Sequence, residues 1–437
     1  MFHKLALLCS VLCIGLAAQT PNHAPQDMAM PDMHMPGMQM DNTNTAGMLL
    51  MNNMSGTAVN PSAWPMPMLM KPLGGWNTMF MSQAFIDDTQ QSGSRGGDKF
   101  YSTNWFMANA EHSVGNKGAF EFQLMLSLEP ATITERQYSL LFQTGETAFG
   151  KPIVDGQHPH NFIMSLGFQY AFSITENTTL EFYVAPVGDP ALGPIAYPHR
   201  ASAAELPQAP IGHHWEDSTH ISYEVVTAGI AYKKIKLEAS GFHGAEPGEN
   251  RWVVEAGAID SWSTRLWYFP TKNWAAQVSF GHLTHPEALE PGDQNRTTAS
   301  VEYSKPMQGG SWSSSLIWGR LHSTYTKRNL NAYTAESVLP IRRKNFITGR
   351  IELVDKDELF AGEPFIEDFL DTYYGSTFRI GAYTLGYTRD IDIFPWIETG
   401  IGANVEAYSL PGAIKPYYGD HPIGGNIFLR LRLKRRS

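Results

Sequence analysis

Methionine is concentrated near the start of this chain in a pattern that hydrophobic packing does not require. Fourteen of its nineteen methionines fall between Met28 and Met81. The densest group is interleaved with Pro, Asp and Gly and consists of Met28, Met30, Met33, His34, Met35, Met38 and Met40. Thioether sulfur is a soft ligand that selects Cu(I), and by the same argument Ag(I), over harder divalent ions. The spacing therefore predicts that this group binds copper as Cu(I).

The methionines that follow this group have two interpretations. Residues 48–54 and 66–81 continue the methionine pattern, but they lie among Leu49, Leu50 and Trp64. Such apolar neighbours pack readily with the flexible methionine side chain. This second half either extends the metal-binding pattern or fills a larger domain as an apolar plug.

Histidine is concentrated in a second region. Seven of the fifteen histidines fall between His158 and His243. Neutral imidazole is the commonest metal ligand and suits Cu(II) and Zn. Some of these side chains are expected to converge on one metal site, oriented by nearby carboxylates such as Asp217. The alternative is that these histidines lie on a surface loop and do not converge on one site. The candidate ligands are His158, His160, His213, His214 and His220.

The stretch from residue 187 to 217, which carries several of these histidines, has no periodic pattern and is rich in Pro and Gly. A connection of about thirty residues is too long for an ordinary loop and is usually functional. In a barrel, such a stretch is expected to fold inward as a constriction.

Enzyme signatures are weak. The chain contains no Gly-x-Ser-x-Gly, P-loop, His-Glu-x-x-His or dinucleotide fingerprint. Only two Ser/His pairs, His322-Ser323 and Ser218 with His220, suit a hydrolase, and both residue types are common. We therefore predict a protein that is not an enzyme. The net charge of −10 argues against a nucleic-acid partner.

The first residues predict export. Residues 1–4 are basic, residues 5–18 are apolar, and small residues close the stretch, as in a signal peptide over 1–18. Cys9 and Cys13 are the chain's two cysteines, and both would be removed with it. A secreted protein of this size without disulfides favours a bacterial envelope.

The rest of the chain alternates with a period of two. In residues 427–433 Ile and Leu alternate with a face that is mostly Arg, which fits a closing barrel strand with lipid outside and a charged lumen inside. A soluble sandwich or propeller also alternates. Long strands and abundant Trp and Tyr favour the membrane. The expected lumen charges are Glu121, Glu302, Glu352, Glu398, Glu406, Arg350, Arg379, Arg430 and Arg432.

The predicted fold class is therefore all-β. We expect a transmembrane antiparallel β-barrel of about 14–16 strands in the bacterial outer membrane, with outer-membrane lipid as a partner. The predicted domains are the signal peptide over residues 1–18, a flexible, disordered Met/His-rich periplasmic arm over 19–72, and the barrel over 73–437.

This layout resembles the copper-resistance B outer-membrane proteins. The likeness rests on the methionines of residues 28–40 and 48–70, followed by the barrel pattern. It implies copper or silver binding, efflux or tolerance, with metal ions and periplasmic copper-handling proteins as partners. Two other functions stay open: a general solute porin whose arm is a plug or tether, and an outer-membrane hydrolase.

Overall fold

The structure is a computed structural model that describes residues 43–391 and 393–434. Its strands are β1 Asn53–Ser55, β2 Ala58–Val59, β3 Leu69–Leu73, β4 Trp76–Gln91, β5 Asp98–Val114, β6 Gly118–Leu126, β7 Tyr138–Ala148, β8 Lys151–Gln157, β9 Ile163–Thr175, β10 Thr178–Gly188, β11 Ser222–Tyr232, β12 Ile235–His243, β13 Ser261–Tyr268, β14 Trp274–Leu283, β15 Gln294–Met307, β16 Gly310–Ser323, β17 Asn329–Ile341, β18 Asn345–Lys356, β19 Phe378–Ile391, β20 Ile397–Ser409 and β21 Ile423–Leu433.

Helices are few and short among the residues that the structure describes. They are α1 Thr45–Leu50, α2 Glu129–Thr132, α3 His213–Glu216, α4 Pro364–Tyr374 and α5 Lys415–Tyr418. Single 3-10 turns lie at Thr134–Arg136, Tyr197–His199, Ala201–Ala203, Ser218–His220 and Gly412–Ile414. Within the described ranges, no helix has the length and apolar character needed to cross a bilayer.

Sixteen antiparallel strands close into one barrel. Sequential strands pair throughout, except that β6 pairs with β9 and the hairpin β7–β8 stands apart. The barrel closes where β21 pairs with β4, with Leu429 opposite Ile86, and the short strand β3 extends the same edge of β4. The predicted all-β barrel of about 14–16 strands is confirmed.

Alternation gives the wall two different faces. In β20, Ile401 and Val405 point outward and are 51% and 62% exposed, while Asn404 and Glu406 are buried toward the lumen. The final strand follows its predicted pattern, since Ile427 is exposed and Arg430 is fully buried. An apolar outer surface over a polar interior is the arrangement of outer-membrane barrels.

The predicted lumen charges face inward with one exception. Arg379 lies on the outward face of β19 and pairs with Asp355 at 2.8 Å. The prediction that Arg379 faces the lumen was wrong because β19 carries this polar residue on its outer face, where the strand begins.

The two ends of the barrel differ in the length of their connections. Turns such as residues 115–117, 176–177 and 233–234 are short, whereas residues 127–162, 189–221 and 357–377 form long connections at the opposite end. Outer-membrane barrels have short periplasmic turns and long extracellular loops. Residue 43 and the end of β21 lie at the end with the short turns, which faces the periplasm in outer-membrane barrels.

Residues 43–68 fold into the lumen, and we call them the plug. Leu49 and Leu50 of α1 pack with Ala119 and Ala171 of the wall. A Cβ atom at Gly47 would lie only 2.3 Å from Glu111 Oε1, so any larger residue there would have to displace this carboxylate or α1.

Buried polar contacts hold the plug in place. Asn53 Nδ2 donates to Gln169 at 2.7 Å and to Glu181 at 2.5 Å, and Lys236 Nζ donates to the Thr57 carbonyl oxygen at 2.8 Å. The arm predicted as flexible over residues 19–72 therefore differs from the structure for residues 43–72, because its polar groups find partners on the wall. The methionines of residues 28–40 and His34 lie outside the described residues.

A second segment also fills the lumen. Residues 189–221, here called the lumen loop, fold inward and are almost entirely buried, as their length and composition predicted. Arg200 attaches this loop to the wall through Glu336 of β17 at 2.6 Å and also binds Asp217 at 2.9 Å. Arg265 of β13 donates to the Gly193 carbonyl oxygen at 3.0 Å.

Candidate metal-binding site in the lumen loop

The structure brings the five predicted histidines together. His158 and His160 follow strand β8, His213 and His214 lie on α3, and His220 ends the next 3-10 turn. Ring centroids are 5.2 Å apart for His213 and His220, 5.3 Å for His213 and His214, 5.3 Å for His160 and His220, and 5.6 Å for His158 and His214. All five side chains are buried. Metal binding by this set stays a prediction.

Three of these rings are oriented by hydrogen-bond acceptors on Nδ1. His220 Nδ1 lies 2.8 Å from the Asp217 carbonyl oxygen, and His160 Nδ1 lies 2.8 Å from Glu129 Oε2. His213 Nδ1 bonds to the Asp217 carboxylate. Because a carbonyl or carboxylate oxygen only accepts, Nδ1 carries a proton, and in the neutral ring Nε2 then keeps its lone pair. Metal-binding histidines are typically held in this way.

Burial also sets the charge of the site. It lowers the pKa of His158 and His213, and lowers the pKa of His214 and His220 well below the ordinary value. These imidazoles are therefore neutral at pH 7, which is the form that binds metal. Burial alone would raise the pKa of Asp217. The hydrogen bond and charge of His213 and the charge of Arg200 outweigh burial and lower this pKa, so the carboxylate stays ionised.

One set of three donors has its ligand atoms within 4.8 Å of one another in the described part of the chain. It consists of His214, Glu246 and Glu287. Arg296 lies 3.3 Å from Glu246 and 3.6 Å from Glu287. The guanidinium thus already supplies positive charge to these carboxylates, and a metal ion would have to compete with it.

Methionines also line the lumen. Those of the plug pack against others that point inward from the wall, together with Val187, Ile195 and Ile221. The methionines in this buried cluster are Met51, Met54, Met66, Met68, Met79, Met81, Met107, Met125 and Met164. Most of the second half of the methionine pattern is thus buried in the plug and the lumen, where these side chains pack together. Metal binding by them stays a prediction.

One histidine beside the methionine cluster was not predicted from the sequence. His199 was not among the candidate ligands, yet its Nε2 lies 3.0 Å from Met125 Sδ inside this cluster. Burial, followed by the neighbouring His160, lowers the pKa of His199 to about 3. A usable signal was present, because Met81 and Met125 occupy inward positions of their strands, where a barrel interior is usually polar.

The two Ser/His pairs considered for a hydrolase have other partners. Ser218 Oγ donates to Glu246 at 3.3 Å and accepts from Arg296. His322 Nδ1 contacts Asn329 at 3.1 Å. Among the hydrogen bonds of the described residues, none joins the serine and histidine of either pair.

Comparison with known proteins reveals the fold and no closer relationship. No protein-family model and no curated protein matches the sequence. The OmpF protein of Salmonella typhi, solved in complex with daunomycin, has a TM-score of 0.51 at 6% identity, covering 83% of this chain and 100% of that one. An anion-selective porin from Comamonas acidovorans has a TM-score of 0.50 at 10% identity, covering 82% and 99%. The chain therefore forms an outer-membrane-porin-like β-barrel.

Proposed function

We propose that this porin-like barrel handles copper or silver at the outer membrane. In this account the methionines of residues 28–40 capture Cu(I) in the periplasm, and the lumen-loop histidines hold a borderline ion, Cu(II) or Zn. The observation that carries the proposal is the set of five buried histidines held in contact inside the barrel. Metal ions are then the ligand, and periplasmic copper-handling proteins the partners that deliver it.

Unsatisfied nitrogen atoms support a ligand role for these histidines. Both ring nitrogens of His214 and Nε2 of His220 are buried without a hydrogen-bond partner. Leaving a buried polar atom unpaired costs about 1–3 kcal/mol, so native structures rarely do so without a reason. A bound metal ion accepts the lone pair of such a nitrogen and removes this cost.

The layout of the chain supports the same function. A methionine-rich segment ahead of an outer-membrane barrel is the plan of the copper-resistance B proteins, which the sequence resembles. Its second half lies inside a barrel whose wall contributes further thioethers. Soft donors thus continue from the arm into the lumen.

A general solute porin is the second candidate. The fold shared with OmpF and the Comamonas porin favours it, as does a lumen rich in ion pairs such as Arg350 with Glu336 at 3.0 Å. In that case the plug acts as a gate, and the histidines contribute only packing. Substituting them would then leave metal binding unchanged.

Equilibrium dialysis of the folded full-length protein against Cu(II) and Zn(II) separates the two candidates. Replacing His160, His213 and His220 together by Asn should weaken binding by about 100-fold or more, since even residues that only orient ligands contribute about 10–100-fold. A control variant carries the same change at His322 and His421, which lie outside the set. Equal affinity of both variants would overturn the metal proposal and leave the porin.

A further inference from the structure

A small cavity lies where the plug, the barrel wall and the lumen loop meet. Its volume is about 10 Å³, close to the minimum that holds a single water molecule. Met54 of the plug, Met81 of β4, Trp105 of β5 and His199 of the lumen loop all line it. Three separate parts of the chain therefore place side chains around one atom-sized space.

His199 is poorly satisfied by the protein alone. Its side chain is 2% exposed, and Nδ1 is buried without a hydrogen-bond partner. Nε2 faces the Met125 sulfur at 3.0 Å, and a thioether is only a weak acceptor. A buried imidazole with one unpartnered nitrogen and the other facing a thioether is therefore costly as packing, but it suits a metal ligand.

We propose that this cavity binds a soft monovalent cation, Cu(I) or Ag(I), through His199 Nδ1 and the thioethers of Met54 and Met81. Thioether and imidazole donors match the preference of such an ion. The Trp105 ring, 4.5 Å from the His199 ring, adds an aromatic face that attracts a cation.

The lining argues for a soft ion over a hard one. All lining residues belong to the described part of the chain, and none of them is a carboxylate, whereas Mg²⁺ and Ca²⁺ require oxygen ligands. Arg200 also lines the cavity, but Glu336 and Asp217 neutralise its charge at 2.6 and 2.9 Å. Its Nε and Nη1 are thus paired with carboxylates, while Nη2 is buried without a hydrogen-bond partner.

This site deepens the proposed function by naming where soft metal rests inside the barrel. Because the ligands come from the plug, the wall and the lumen loop, an ion bound there joins all three. Occupancy by Cu(I) or Ag(I) therefore holds the plug in the lumen, and loss of the ion loosens it.

The test starts from full-length protein in which the six arm methionines of residues 28–40 are changed to Leu, so that the arm no longer contributes. With Cu(I) buffered by bicinchoninate, this protein should retain about one equivalent, with copper bound by both sulfur and nitrogen in X-ray absorption. Adding Met54→Leu and Met81→Leu should abolish that equivalent, since Leu conserves volume and removes the ligand. Met164→Leu, buried in the same cluster outside the cavity lining, is the matched control.

The site is overturned if the Met54/Met81 variant still binds one equivalent of Cu(I), or if the arm-substituted parent binds none. Either result leaves the proposed site at the lumen-loop histidines unaffected. A second measurement covers the case in which the variant fails to fold. On unmodified protein, Ag(I) at 100 times its Kd should slow amide exchange in residues 53–59 by about 100-fold. Unchanged exchange would overturn the site.

Discussion

Ser55 of the plug donates a 2.6 Å hydrogen bond to the carboxylate of Asp189, the first residue of the lumen loop. Both side chains are buried, so this contact couples the two segments that fill the barrel. Burial raises the pKa of Asp189 to about 7; Arg265 opposes this shift, while Asp217 and Glu238 add to it. The bond therefore sits at a group that titrates near neutral pH.

The first prediction is a pH dependence of plug stability. The plugged state holds a proton on Asp189 that the released state, with an ordinary pKa of about 4, has already lost. Plug stability should therefore fall as pH rises from about 4 to about 7, by at most about 1.4 kcal/mol per pH unit, and then level off. Amide exchange of residues 53–59, corrected for its intrinsic pH dependence, measures this. In Asp189→Asn the dependence of plug stability on pH should vanish. If it is unchanged, it arises from other groups and the prediction is contradicted.

The second prediction concerns the attachment of the lumen loop. Arg200→Gln leaves Glu336 and Asp217 buried with reduced pairing, and breaking a buried pair costs about 3–5 kcal/mol. Residues 189–221 should exchange faster and become sensitive to protease, while the barrel strands stay protected. Arg320→Gln, on an exposed side chain that contacts Asn329, should change little. Equal protection of the loop in both variants would contradict this role of Arg200.

The third prediction tests the fit of the plug helix. In Gly47→Ala the new Cβ meets Glu111 at 2.3 Å, so either the carboxylate or α1 must move. The strain should exceed the gain of about 1 kcal/mol that Ala brings to a helix, and exchange of residues 45–50 should rise. Gly412→Ala has open space around the new atom and serves as the control. Slower exchange in Gly47→Ala would show that α1 does not press on the wall.

The barrel itself was predictable from the sequence. Strand geometry fixes a period of two, and lipid requires apolar residues on one face. Strands such as β20 and β21 can therefore be recognised from their local sequence. The plug was harder to predict because its partners are distant. Asn53 bonds to Glu181, 128 residues away, and Ser55 to Asp189, 134 residues away. No local pattern encodes such pairs.

The candidate site likewise has one part that the sequence predicts and one part that it does not. His213, His214 and His220 lie close together in the sequence, so their proximity in space could be expected. His199 contacts Met125 across 74 residues, and only closure of the barrel brings the two together. Inward-facing methionines in the strands were the one available clue.

The fourth prediction concerns the arm, whose candidate ligands lie outside the described residues. In a peptide of residues 19–70, Cu(I) binding by thioethers should persist from pH 7 to 5, because thioethers carry no proton in that range. Any contribution of His34 should fade near its ordinary pKa of about 6.5. Changing Met28, Met30, Met33, Met35, Met38 and Met40 to Leu removes six of the peptide's twelve methionines and should weaken the binding. Full Cu(I) affinity after that change would refute a ligand role for the arm methionines.

Growth of cells in copper separates a metal function from that of a solute porin. A strain lacking the protein would receive wild-type protein or a variant in which the six arm methionines are Leu and His160, His213 and His220 are Asn. Outer-membrane levels and growth without added metal are matched. Wild-type protein should restore growth in copper, and the variant should not. Equal protection by both would contradict a metal function and leave a solute porin in its place.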